Sequence, residues 1–165
     1  MRLKYLSVFA AALLLTACET TQEEETQTTA GGAVEAPAPA PEPTGPVPGS
    51  QEDLLLKVGD RIFFDFDKSD LKSDAQDTLQ KLAAWMTTYP NVTISLEGHC
   101  DERGTRDYNL ALGERRANAA RDYLIALGIN AGRLTTISYG KERPAVLGSN
   151  EEAWAQNRRD VFVVN

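Results

Sequence analysis

From Asp60 onward the chain alternates between two hydrophobic periods. DRIFFDF (Asp60–Phe66) puts Ile62, Phe64 and Phe66 on one face of an expected strand. SDAQDTLQKLAAWMTTYP opens with an expected Ser73 cap and spaces Leu79, Leu82, Ala83 and Met86 for a helix that Pro90 stops. NVTISLEGH returns to period two, with Val92, Ile94 and Leu96 inward and Thr93, Ser95, Glu97 and His99 outward. A helical stretch runs on to Leu127 and is closed by Gly128. RLTTISYG, EEAWAQNR and DVFVVN then read as strand, short helix and strand. The order β-α-β-α-β-α-β predicts an α+β fold, an α/β sandwich whose helices pack on a four-stranded mixed sheet.

Before that domain the pattern is different. MRLKYLSVFAAALLLTAC has two early cations and an apolar run from Tyr5 to Leu15. The run is too short to span a bilayer and has the length of a signal-peptide core. Its end, Leu15-Thr16-Ala17-Cys18, resembles a bacterial lipobox. The resemblance implies cleavage after Ala17 and lipidation of Cys18, with several acyl chains holding the protein on a membrane at ~0.8 kcal/mol per buried methylene. Glu19 stands where an aspartate would signal inner-membrane retention in enterobacterial lipoproteins, so the outer membrane is the expected address. Residues 19–50 hold six acids, no bases, no aromatics and all but two of the prolines. Such a segment is expected to stay disordered, with a reach of ~100 Å if fully polyproline II and ~30 Å as a coil. The expected division is therefore 1–17 signal peptide, 18–50 acylated cysteine and linker, and 51–165 folded domain.

Charge narrows the function. The net charge is −7, and it becomes −9 once Arg2 and Lys4, the only charges in residues 1–17, are removed. That excludes broad nucleic-acid binding, which depends on an electropositive footprint.

Candidate chemistry is concentrated in EGHCDERGTRDYNLALGERRANAARDYL, Glu97–Leu124. A zinc site at His99-Cys100-Asp101-Glu102 is disfavoured, because adjacent strand residues point apart and His99 is the only histidine. Hydrolysis of a glycan would need two opposed carboxylates, one kept protonated; Asp101 and Glu102 sit beside arginines that favour ionisation. No catalytic residue, metal or cofactor is expected. Gly113 weakens a continuous helix by ~1 kcal/mol relative to alanine, so a break is expected there, with Arg116 in the first turn of the main helix. Leu112, Arg116, Ala120 and Leu124 share one helical face. An arginine on an apolar face must be paired or reach into a groove, and Asp101 is the expected counter-charge. An acid and an arginine set apart in one groove would suit a ligand carrying both ammonium and carboxylate.

Asp101, Gly104, Asn109, Leu112, Arg116 and Ala117 follow the spacing D-x-x-G-x(4)-N-x-x-L-x-x-x-R-A. This resembles the OmpA-like peptidoglycan-binding domain. FDFDKSDL, EGHCDERGTRDYNLALGERRA, SYGKERPAVLG and NRR resemble more narrowly the peptidoglycan-associated lipoproteins over about residues 58–165. The resemblance implies non-catalytic binding of meso-diaminopimelate in uncrosslinked peptidoglycan stems. It assigns the side-chain ammonium to Asp101 and a carboxylate to Arg116. Phe66, Asp67, Cys100, Arg103 and Leu112 would line the groove, Asn109 would brace the loop, and Arg158 would support the floor from the last strand. Cys100 and Gly113 depart from the family pattern, which has a small or hydroxyl residue and a serine there. The implied partners are peptidoglycan and, through the periplasmic propeller protein TolB, the Tol complex. The implied place is the outer membrane, with the domain facing the periplasm. A protein-docking module with wall binding secondary is the alternative. With Cys18 lipidated, Cys100 is expected to be a free thiol.

Overall fold

The structure, a computed structural model, describes residues 45–165; the signal segment, Cys18 and the linker to residue 44 lie outside the described residues. Eight elements follow in order: α1 (Gln51–Lys57), β1 (Arg61–Phe63), α2 (Ser73–Thr88), β2 (Ile94–His99), α3 (Arg106–Ala126), β3 (Leu134–Gly140), α4 (Glu151–Asn157) and β4 (Arg159–Val164), with a 3-10 turn at Ala131–Arg133. The strands form one mixed sheet in the order β1-β4-β2-β3. β4 runs antiparallel to both β1 and β2, and β3 runs parallel to β2. The expected α+β sandwich on a four-stranded mixed sheet is the observed fold.

One apolar layer joins the helices to the sheet. Ile62, Ile94, Leu96 and Phe162 from the strands meet Leu79, Leu82 and Met86 of α2 and Ala117, Ala120 and Leu124 of α3. The i, i+4 face anticipated on α3 is buried along its whole length, including Arg116.

Helix α1 was not anticipated. Ser50 caps it by accepting from the Asp53 backbone N–H at 3.2 Å, so the S-x-x-D spacing is a legible start signal. Asp53 then accepts from Trp85 Nε1 at 2.8 Å and pairs with Lys57 at 2.7 Å, stapling α1 to α2. The hydrogen bonds from Lys57 and Trp85 outweigh burial and hold its carboxyl down at about 2.

Four local expectations are corrected. Ser73 is the first residue of α2, whose cap is Lys72 with no side-chain hydrogen bond. β1 ends at Phe63, so Phe66 lies beyond it on an exposed loop while Ile62 and Phe64 are buried. Ser95 and His99 are buried instead of facing water. β2 is central, and neighbouring side chains cover its second face: the Tyr139 ring is centred 5.4 Å from that of His99.

The fourth correction concerns Gly113, where α3 runs unbroken from Arg106 to Ala126. The glycine is a packing device. A Cβ at Gly113 would stand 2.4 Å from Ser138 Oγ and 3.0 Å from the Gly98 carbonyl oxygen, and one at Gly98 would stand 2.0 Å from the Gly113 oxygen. Two facing glycines bring α3 directly onto β2. That close approach delivers Arg116, in mid-helix and not in a first turn, to the end of the central strand.

Candidate functional site

The C-terminal end of β2, the loop after it, the start of α3 and the loop after β1 converge on a cavity of about 140 Å³. It is lined by Phe66, Asp67, Cys100, Asp101, Arg103, Asn109, Leu112, Arg116 and Arg158, all nine of the residues singled out from the sequence, together with Gly104 and Tyr108.

Arg116 is the keystone. It has no exposed surface. Its Nε donates to the Lys68 carbonyl at 2.8 Å, Nη1 to the His99 carbonyl at 2.8 Å and Nη2 to the Asp65 carbonyl at 3.1 Å. Nη1 also lies 3.5 Å from Cys100 Sγ, and the guanidinium sits 5.0 Å from the centre of the Phe64 ring. One side chain thus ties the loop after β1 to the end of β2. The expected pairing with Asp101 is not made, because backbone carbonyls, with their fixed geometry, reach the guanidinium first. Burial lowers its proton affinity, but a guanidinium remains charged.

Asp101 is also buried, and its partners are two other arginines. Oδ2 lies 2.5 Å from Arg103 Nη2 and 3.4 Å from Arg158 Nη1, and Oδ1 accepts from the Arg103 backbone N–H at 3.1 Å. Burial pushes its pKa up, but the bonds from Arg103 outweigh it and the net shift is downward. Asp101 is therefore a carboxylate at neutral pH.

The rest of the rim is built from local rules. Asn109 Nδ2 donates to the carbonyls of Arg103 at 2.7 Å and Thr105 at 3.0 Å, closing the loop that Gly104 turns with φ 87°. Lys141 reaches the Glu102 and Gly104 carbonyls at 3.1 and 2.7 Å and braces the same loop. Asp67 adopts a left-handed backbone (φ 56°) and accepts from Tyr108 Oη across the cavity mouth. Cys100 is a buried thiol whose Sγ donates to the Asn109 carbonyl at 3.3 Å; burial pushes it up to about 11. Arg158 is the residue between α4 and β4, not part of the last strand, and its Nε holds the Phe64 carbonyl at 3.1 Å.

The sequence reading missed Tyr108, Trp154 and Glu151 as neighbours of the site. Trp154 stacks on Arg103, 4.1 Å from its ring centre, and Glu151 pairs with both Arg158 and Arg103. Glu151 and Trp154 gave no signal beyond their position on α4, which topology, not spacing, carries to the cavity, whereas Tyr108 sits in the first turn of α3, next to Asn109. Arg159, next in the chain after Arg158, is buried. Among the described residues no group of three His, Cys, Asp or Glu side chains is placed to hold a metal.

The arrangement offers a guanidinium and a carboxylate in one recess with an aromatic lip, which suits a small zwitterionic group. Comparison with known proteins identifies relatives of the chain. The OmpA family pattern matches residues 63–158. The peptidoglycan-associated lipoprotein of Agrobacterium fabrum is 56% identical over 117 residues, covering 71% of this chain and 66% of that protein. The one from Brucella melitensis is 55% identical over 118 residues, covering 72% and 70%. The crystal structure of the peptidoglycan-associated lipoprotein from Burkholderia pseudomallei superposes with TM-score 0.63 at 42% identity, covering 64% of this chain and 90% of that one. The matched region thus spans about two thirds of the length of the first two relatives.

Proposed function

This chain belongs to the OmpA family and, within it, to the peptidoglycan-associated lipoproteins; from that premise we propose that it binds uncrosslinked peptidoglycan stems through meso-diaminopimelate without cleaving them. The ligand ammonium meets Asp101, and a ligand carboxylate meets Arg116. The observation that carries this is Arg116 itself: a fully buried cation lining the cavity that makes four bonds, to carbonyls and a thiol, with five N–H donors. A carboxylate entering the cavity would supply both the fifth bond and the missing counter-charge.

The protein is further proposed to be anchored in the outer membrane by lipid on Cys18, with residues 18–50 as a leash and 51–165 facing the periplasm. It would thereby tether the membrane to the wall as part of the Tol-Pal system. Support comes from the lipobox-like sequence and from the names of the relatives. A second reading, docking of TolB on the same surface, is favoured by Phe66, an aromatic ring that lines the cavity and is 56% exposed.

Calorimetric titration with diaminopimelate-containing against lysine-containing muropeptides tests the ligand. Asp101→Asn keeps the side chain's shape and removes its charge. Losing one partner of a buried charge pair costs about 2–5 kcal/mol, so affinity for the diaminopimelate muropeptide should fall at least ~30-fold. A folded Asp101→Asn protein binding within a few-fold of wild type would overturn the assignment. Titration of TolB in the presence and absence of muropeptide decides whether the two compete.

A further inference from the structure

Asp101 has an electrostatic problem as a receptor for ammonium. It already faces two arginines, Arg103 at 2.5 Å and Arg158 at 3.4 Å. Neither is free to leave. The Arg103 guanidinium lies between the rings of Phe66 and Trp154, 4.0 and 4.1 Å from their centres. Arg158 is fixed through Nε to the Phe64 carbonyl. One negative charge beside two immobile positive ones is a net cation, which repels an ammonium group.

Glu151, the first residue of α4 and outside the cavity lining, changes that sum. Its Oε1 lies 2.7 Å from Arg158 Nη2 and its Oε2 3.7 Å from Arg103 Nη1. The four groups close a ring of alternating sign, two acids and two arginines, with net charge zero. Resting on the ligand assignment made above, we propose that Glu151 sets the preference of the cavity for an amine-bearing ligand. It does so by neutralising the second arginine, so that Asp101 presents its charge without a net positive surround. Glu151 touches no ligand; it is a positioning residue for charge. The first turn of a helix suits an acid there.

The mechanism has a signature that a merely structural role lacks. Removing the Glu151 charge leaves the ring at +1, which disfavours ammonium and favours carboxylate. The test uses the full chain, as wild type, Glu151→Gln and Glu151→Asp. Each is titrated with diaminopimelate muropeptide and with the same muropeptide N-acetylated on the side-chain amine. The Glu151 side chain is 65% exposed, so screening limits the effect. Glu151→Gln should lose about three- to tenfold in affinity for the free amine at low salt, shrinking to under about twofold at 0.5 M salt. Its affinity for the acetylated form should stay level or rise, and Glu151→Asp should recover most of the loss. Equal losses for both ligands, or no loss for either, would overturn the proposal while leaving the ligand assignment standing. A wild-type chain that binds neither muropeptide would overturn the assignment and this inference with it.

Discussion

Helix propensity says that alanine at position 113 should stabilise α3 by ~1 kcal/mol; the packing says the reverse. The new Cβ would lie 2.4 Å from Ser138 Oγ, 3.0 Å from the Gly98 oxygen and 3.2 Å from the Gly98 carbonyl carbon. Ser138 cannot simply turn aside, because Oγ donates to the Leu110 carbonyl at 2.6 Å and accepts from the Gly140 N–H at 3.3 Å. Breaking both bonds costs about 1–3 kcal/mol, and lifting the helix instead is an overpacking cost of similar size, about 1–3 kcal/mol. After the propensity gain, Gly113→Ala should be destabilised by up to about 2 kcal/mol. Urea denaturation followed by far-UV circular dichroism measures this directly. Ser138→Ala, which removes the same two bonds, should cost about 1–3 kcal/mol alone. The double variant should cost at least ~1 kcal/mol less than the sum, because the clashing oxygen is gone. A Gly113→Ala protein more stable than wild type, or additive costs in the double variant, would refute the close-packing account.

Two further predictions concern buried titrating groups. Burial, reinforced by the Arg159 charge, lowers His99 from 6.5 to about 4; between those values the unfolded chain holds a proton that the folded chain does not, so stability present above pH 6.5 is lost as pH falls toward 4. With allowance for solvent screening the loss is about 2 kcal/mol, and His99→Gln should flatten urea midpoints measured across this window. Cys100, buried and pushed up to about 11, should react with thiol reagents at pH 8 only in denaturant; rapid labelling of the native protein would contradict its placement.

Much of the site was legible because one helix and one strand end carry most of it. The D-x-x-G-x(4)-N-x-x-L-x-x-x-R spacing places Asp101, Asn109, Leu112 and Arg116 at fixed positions along a loop and helix, and the fold brings them round one cavity. What spacing cannot show is which donor meets which acceptor. Arg116 and Asp101 were expected to pair, but the carbonyls of Asp65, Lys68 and His99 come from segments whose approach depends on the tertiary fold. Gly113 misled for a related reason: its cost is local and its benefit, contact with Gly98, lies across the structure. α4 was recognised as a helix, yet nothing in its sequence announces that Glu151 and Trp154 end beside the cavity.

The place of β4 in the sheet has a consequence for assembly. It is the last strand in the chain and lies between the first two, so both antiparallel pairings wait for it. Until residues 159–164 arrive, β1 has no strand beside it, Phe162 is absent from the apolar layer, and only β2 and β3 pair. A fragment lacking this strand should therefore fail to fold as a whole, not lose an edge. In a chain made from its N-terminus, such an order keeps the fold open until almost the whole length is available.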